Sequence, residues 1–494
     1  MDWFSAPDYR LARFVIERGL GLIYLIAFLV ALDQFPALLG EHGLLPAPRF
    51  LRRASAREAP SLFHLRYSDG LLRAVAGTGV VLAAAIVLGL PQAGPLWLPM
   101  LVWLVLYVLY LSIVNVGQVF YAFGWESLLL EAGFLAIFLG NARTAPPLLV
   151  LLLFRWLGFR VELGAGLIKL RGDPCWRDLT CMDYHHETQP MPNPLSWYFH
   201  RLPRAFHRAE VVGNFVAQLG APFLLFLPQP IAGLGALLML GTQGYLVASG
   251  NYAWLNVLTM VIVASAVPDA FVRRLLPGAG ATVPGGPPPL WFAVAVLALT
   301  ALVVVLSYWP VRNLFERRQR MNYSFNRLHL VGAYGAFGSV SRERHEVVIE
   351  GTDDAEPSEE TIWREYEFKG KPGDPRRRPP QIGPYHLRLD WLMWFVALSP
   401  RYAEGWFAPF VERLLAGDTR VLRLLRRNPF AHAPPAWIRA RYYRYRFTTR
   451  AERRSSGAWW VRELVGMYLH PASLTGRPGE RRPSATTQGQ SPRR

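Results

Sequence analysis

The densest run of chemically capable side chains lies between Gly164 and Pro203, where the chain reads GAGLIKLRGDPCWRDLTCMDYHHETQPMPNPLSWYFHRLP. It brings together one of only three lysines, Lys169, with Asp173, Cys175, Cys181, His185, His186, Glu187 and Asn193. Two thiols followed by a histidine pair could hold zinc through four ligands, but Cys-x5-Cys is not the spacing of a common zinc module. Outside the cytosol the two cysteines would instead close a small disulfide loop; in a reducing compartment they would be buried thiols. A lysine at a helix end beside apolar residues can be made a base by desolvation, or can pair with Glu162, or can reach lipid head groups. Pro190, Pro192 and Pro194 keep the segment after the histidines extended. There is no nucleophile elbow, phosphate loop, dinucleotide fingerprint or His-Glu-x-x-His.

A second set of reactive groups sits inside apolar runs. Glu126 and Glu131 fall in one such run, and Arg155, Arg160 and Glu162 in the next. A charge at the centre of a bilayer costs about 2.5–3.5 kcal/mol on insertion scales, so each must face the bundle or find a partner. Arg155, Glu162 and Lys169 are seven apart in turn and stay near one helix face, with about 20° of drift per heptad. An interhelical ion pair, such as Glu131 with Arg155, is the plainest expectation; a polar substrate or proton path is the alternative.

These residues need a membrane bundle to hold them. Hydrophobic residues make up 52% of the 494 and charged residues 18%, against about 25% charged in soluble domains. The apolar residues are gathered into blocks of membrane-crossing length: 14–32, 71–90, 96–114, 124–140, 146–163, 211–227, 231–248, 251–268 and 290–309. That predicts a polytopic α-helical membrane protein of about nine spans. The first block, preceded by a mixed-charge amphipathic stretch without a small-residue cleavage site, reads as a retained anchor. Two long loops, 33–70 and 164–210, fall on one side within a transmembrane region 1–320. With nine spans, everything after Trp309 shares that side. The positive-inside rule taken literally would make it cytoplasmic, but the rule is weak for long loops and folded domains.

From Met321 the pattern changes to alternation. His345–Glu350, Arg364–Phe368 and Ala440–Thr449 read as strands, and Pro409–Leu425 has helical spacing. Residues 321–470 are therefore expected to form an α+β, sheet-rich, sandwich-like domain, followed by a disordered tail over 471–494. The net charge of +18 is spread over both halves, without a nucleic-acid-binding signature. It suits solvated surfaces and anionic lipid head groups.

The long motif resembles the lipase maturation factor family. The resemblance runs from Arg155-Trp156 through Lys169-Leu170-Arg171-Gly172-Asp173 and Cys175-Trp176-Arg177-Asp178-Leu179-Thr180-Cys181-Met182-Asp183. It continues through Glu187-Thr188-Gln189-Pro190 to Pro192-Asn193-Pro194. Trp125-Glu126, Gly250-Asn251-Tyr252, Trp363–Phe368, Arg388-Leu389-Asp390-Trp391 with Met393-Trp394-Phe395, and Asn428-Pro429-Phe430 extend it over about residues 10–470. His186 stands where the family usually has an aromatic residue, and Tyr385 where a histidine would follow the proline.

The resemblance implies a non-enzymatic, membrane-bound maturation factor with its C-terminal domain on the lumenal or exoplasmic side. Its client would be a secreted protein such as a lipase-like hydrolase, and it would need neither cofactor nor metal. It implies the endoplasmic reticulum membrane, or the inner cell membrane if the strong preference for arginine over lysine marks a prokaryotic source. On this reading the loop residues Asp173, Trp176, Arg177, Asp178, His185, Glu187, Gln189, Pro190 and Asn193 join Arg388, Asp390, Trp391 and Trp394 in a client-holding surface. Exposed Trp176, Tyr184, Trp197, Trp391 and Trp394 would supply its aromatic contacts.

A more distant likeness, Ala165-Gly166 with Lys169-Leu170, Asp173 and Trp176, is similar to the membrane domain of vitamin K-dependent γ-carboxylases. It implies an alternative enzyme acting on a quinone-like or lipid substrate with Lys169 as base; a transporter is the second alternative.

Overall fold

The computed structural model describes residues 3–275 and 288–474. The N-terminal part is a helical bundle built from α1 (Arg10–Leu38), α2 (Asp69–Leu88), α3 (Trp97–Val116), α4 (Gly124–Ala136) and α5 (Leu148–Arg171). It continues with α6 (Met182–Thr188), α7 (Arg204–Phe215), α8 (Ile231–Ser249), α9 (Leu255–Val263), α10 (Leu290–Leu306) and α11 (Tyr308–Phe315). Local sequence explains the ends. Ser68 caps α2 by accepting the amide of Leu71, and Gly89, at φ +84°, closes it by donating to Ala85 and Ile86. Only a residue without Cβ adopts that left-handed cap freely.

Among the described residues five helices are long and apolar enough to cross a membrane: Pro7–Leu38, Asp69–Leu88, Trp97–Val116, Ile231–Ser249 and Leu290–Phe315. The other four apolar runs take different forms. α4 has 13 residues, about 20 Å of helix, short of the ~30 Å hydrocarbon core. α5 is long enough, but Arg155, Arg160, Glu162 and Lys169 are all buried along it, so it lies inside the bundle, away from lipid. The run 211–227 passes from α7 through a π-helical stretch, Val216–Gly220, into one short turn, Ala221–Leu224. Pro222, which has no amide hydrogen to donate, sits at that break. In 251–268 only α9 and a 3-10 turn are helical.

The C-terminal part carries β1 (Arg344–Thr352), β2 (Arg364–Glu365), β3 (Glu367–Phe368), α12 (Arg388–Leu398), α13 (Phe407–Leu415), β4 (Leu425–Arg427), β5 (Trp437–Phe447) and β6 (Trp460–Ala472). The four-stranded antiparallel sheet has the order β2-β1-β5-β6, and β3 pairs with β4 in a separate two-stranded ladder. Arg462 on β6 ion-pairs with Glu365 on β2 at 2.6 Å, so the sheet curls to bring its outer strands together.

Three expectations change here. The second layer over the sheet is formed by α12 and α13, whose buried Leu389, Leu392, Val396, Phe410 and Leu414 pack toward it. A second full sheet, as a sandwich requires, is not among the described residues. The helix expected over Pro409–Leu425 stops at Leu415, because Gly417 turns the chain at φ +64° before Thr419–Leu422 and β4. β6 runs on to Ala472, past the start of the expected tail; residues 475–494 lie outside the described part.

One apolar core is continuous through both parts, from Leu20, Phe28 and Trp103 in the bundle to Ile349, Trp391 and Ile438 under the sheet. The two are therefore packed as one body. Backbone contacts at the seam are close. A Cβ on Gly172 would lie 2.1 Å from the Gly338 carbonyl oxygen and 2.7 Å from that of Ile168. Neither is a side chain that can rotate away. Gly172→Ala should therefore cost about 1–3 kcal/mol through overpacking, read as a lower melting temperature in detergent. Gly213→Ala, on a helix with nothing within 4 Å of the new Cβ, should leave stability unchanged or raise it by up to about 1 kcal/mol.

Candidate functional site

The bundle and the C-terminal part enclose a cavity of about 1270 Å³. Its walls come from α5, α7, α8 and α9 on one side and from the 334–341 connection and α12 on the other. The lining is mostly apolar, with Trp125, Trp176, Phe337, Trp391 and Trp394, and is interrupted by Glu162, Lys169, His185, Glu210, Gln243 and Asn256. A few polar groups converging on an apolar hollow is the general form of a ligand site.

Lys169 is buried at the C-terminal end of α5. Its ammonium donates to Asn214 Oδ1 and Gln218 Oε1, both at 2.9 Å, and stands 4.9 Å from the centroid of the Trp176 ring. Two amide oxygens and an aromatic face are partners for a cation. Glu162, one heptad earlier, takes its hydrogen bond from Gln243 at 2.7 Å, and Gln243 in turn accepts from Asn256 at 2.7 Å. Asn214, Gln218 and Gln243 carry no signal in the sequence. Single amides in apolar helices have no pattern that distinguishes them from other polar residues.

Two buried carboxylates of the bundle, Glu131 and Glu126, are ion-paired, with different partners from the simplest guess. Glu131 binds Arg160, not Arg155, and also accepts from Tyr334 Oη at 2.7 Å and the Gly332 amide at 3.0 Å. Arg155 donates to the carbonyls of Ser265 and Leu225. The five-residue offset between the arginines is about 140° around a helix, which decides which one faces α4. Glu126 accepts from Arg388 at 2.8 Å and from Tyr110 Oη. Arg388, fully buried, also donates to the Phe120 carbonyl and lies over the Tyr121 ring, 3.4 Å from its centroid.

His386 packs beside this pair, its Nδ1 accepting from Trp125 Nε1 at 3.4 Å; burial and then Arg388 lower its pKa to about 4. Gln34 holds the backbone on both sides, donating to the His386 carbonyl at 2.7 Å and accepting from the Arg388 amide at 3.0 Å. Tyr385 donates to Asp33 at 2.8 Å. Asp390 accepts from the Gly370 and Lys371 amides, and Trp391 and Trp394 extend the aromatic cluster around Phe123 and Trp125.

The 173–194 segment is built inward. Asp173 caps the turn Pro174–Arg177, and Cys175 is disulfide-bonded to Cys181, which removes both sulfurs as metal ligands. Trp176 donates to the Phe337 carbonyl at 2.9 Å. His185 Nε2 is 3.1 Å from Tyr252 Oη, which donates to Gln189 Oε1 at 2.6 Å. Burial, reinforced by His186 and Lys169, lowers the His185 pKa to about 3, keeping it neutral. Glu187 accepts the Phe447 amide at 2.6 Å, and Asn193 donates to the carbonyls of Val247 and Ala248.

Arg344, at the start of β1, gathers the carbonyls of Glu187, Gln189 and Pro190 while pairing with Glu346, which also binds Lys371 at 2.7 Å. Only Arg177 and Asp178 of the expected surface are exposed. Trp176, Trp197 and Trp391 are at most 5% exposed, so the exposed aromatic face expected of this loop is absent. The segment is a strap between bundle and sheet, because its polar groups are satisfied by the two parts it joins.

Comparison with known proteins follows this division. The model of the lipase maturation factor transmembrane domain matches residues 11–274, and that of the lipase maturation factor C-terminal domain matches residues 330–470. The chain is 42% identical to lipase maturation factor 1 of Bos taurus over 95% of its length and 90% of that protein. It is also 42% identical to that of Homo sapiens, over 94% and 88%. Identity to lipase maturation factor 2 of Gallus gallus is 30%, over 94% and 82%. No solved structure matches the chain.

The Glu126–Arg388 contact makes a quantitative prediction. Glu126→Gln or Arg388→Met alone leaves an uncompensated buried charge or polar cavity and should cost about 3–5 kcal/mol. The double variant should recover a substantial part of that loss, since the unpaired charge is gone. Thermal unfolding of the four proteins in detergent checks it; additive losses would mean that the two side chains are not coupled.

Proposed function

The chain belongs to the lipase maturation factor family, and from that premise we propose that it is a membrane-bound, non-catalytic factor assisting the folding or assembly of secreted lipase-like clients. The Cys175–Cys181 disulfide carries the orientation. Disulfides persist in oxidising compartments, and this one lies in the strap that packs against the C-terminal domain. That domain therefore faces the endoplasmic reticulum lumen or, in a prokaryote, the exoplasmic side of the cell membrane. Counting the four shorter or charged runs as crossings gives nine. That is an odd number, which puts the domain opposite the N-terminus.

Lys169, the candidate base, donates to the amide oxygens of Asn214 and Gln218, and the non-catalytic reading rests on the family. The roles of the singled-out residues follow from their contacts. Asp173, Trp176, His185, Glu187, Gln189, Pro190, Asn193, Arg388 and Asp390 position the C-terminal domain on the bundle. Client contact falls to β6. It is an edge strand of 13 residues whose Leu464, Val465 and Met467 are 52%, 56% and 42% exposed. No strand pairs with its outer edge among the described residues. An unpaired edge carrying apolar side chains is a template for an extended segment of an incompletely folded protein.

Three measurements test this reading. Alkylation without reductant, followed by mass spectrometry, should find no free thiol at Cys175 or Cys181; labelling of both in intact membranes would reverse the orientation. Co-expression with a secreted lipase should raise its specific activity, and equal activity without the chain would overturn the maturation role. Val465→Asp with Met467→Asp should leave membrane expression intact yet lower the yield of active lipase about tenfold, equivalent to about 1.4 kcal/mol of client binding. Unchanged yield would exclude β6 as the contact.

A further inference from the structure

His186, His207 and Glu210 meet at the wall of the cavity, and we propose that they form a binding site for a divalent transition-metal ion such as zinc. His207 and Glu210 are one turn apart on α7, the i, i+3 spacing that places two side chains on one face. His186 comes from α6, which α7 packs against. The potential ligand atoms of the three residues all lie within 4.8 Å of one another. His186 Nε2 is 3.1 Å from Glu210 Oε1, and His207 Nδ1 is 2.6 Å from Glu210 Oε2. All three side chains are at most 6% exposed.

Two imidazole nitrogens and a carboxylate are a donor set that first-row divalent ions prefer, and three protein ligands leave a coordination position open. Two further observations point to a cation. Among the described residues, no lysine or arginine ion-pairs with Glu210. A buried carboxylate in that setting is served by a metal ion that the imidazole nitrogens can also bind. The site also has an entrance and a fourth donor group beside it. Glu210 and Tyr245 line the cavity, and the Tyr245 hydroxyl hydrogen-bonds to the same carboxylate oxygen that faces His186.

His186 is positioned by a stack on Phe199, ring centroids 5.6 Å apart. An aromatic residue at that position would keep the stack and lose the ligand, so the site depends on the histidine this chain carries. The zinc arrangement suggested by Cys175, Cys181 and the histidine pair is not this one. The cysteines are oxidised, and the other two ligands come from α7.

The test uses the full-length protein in detergent, stripped with a chelator, reloaded with zinc alone and passed through gel filtration. The wild type should retain about one zinc per chain, measured by elemental analysis. His186→Phe, which preserves the ring stack, and Glu210→Gln, which preserves size and hydrogen bonding, should each weaken zinc binding at least tenfold. Cobalt should give visible d–d absorption in the wild type and not in the variants. Elution as a single folded species qualifies each variant, and either one alone suffices. No zinc retained by the wild type, or equal retention in all three proteins, overturns the site and leaves a hydrogen-bonded His–Glu–His cluster.

Discussion

The Glu126 carboxylate is buried in the helical bundle and takes its cation from Arg388, 262 residues later in the chain. The pair lies at zero exposure under an aromatic roof of Tyr121, Phe123, Trp125 and Trp391. Removing either charge strands the other in a low-dielectric interior, so bundle and C-terminal domain cannot separate without a penalty of several kcal/mol. Gln34 and Asp33 at the end of α1 add hydrogen bonds to the same segment. The docking geometry is thereby specified at one point.

Arg344 does the same from the other side. Its guanidinium holds three strap carbonyls, those of Glu187, Gln189 and Pro190, while Glu346 pairs with both Arg344 and Lys371. With the domain pinned at Arg388 and again at Arg344, the space between the pins cannot collapse, and the large cavity is what remains. Its polar wall belongs to the bundle and its aromatic wall partly to α12. Cavity and docking are thus consequences of one another. The motif most recognisable in the sequence, 173–194, holds this arrangement together.

Most of the architecture is written locally. Long apolar runs point to spans, and α1, α2, α3, α8 and α10 lie where five of the runs are. The alternation of Tyr443, Tyr445 and Phe447 with arginines made β5 readable, and β1 opposite it. Where hydropathy misjudged, charge or backbone chemistry was the reason: α5 is a buried polar helix, and the 211–227 run breaks at a π-helical turn before Pro222. The family was legible too, because its motif strings together residues whose types are each needed for a specific contact.

By itself, the sequence determined that this is a membrane protein with a folded C-terminal domain, and that its interior charges must be paired. Periodicity and desolvation cost are properties of short stretches, so they survive without coordinates. Only the tertiary structure decided which partner each charge takes: Arg160 for Glu131, Arg388 for Glu126, amides for Lys169. It alone buried Trp176, His185, Gln189, Asn193 and Trp391 and brought His186 beside His207 and Glu210. Pairing and burial depend on rotation about helix axes and on contacts between residues far apart in the chain. No local pattern encodes those until the chain has closed on itself.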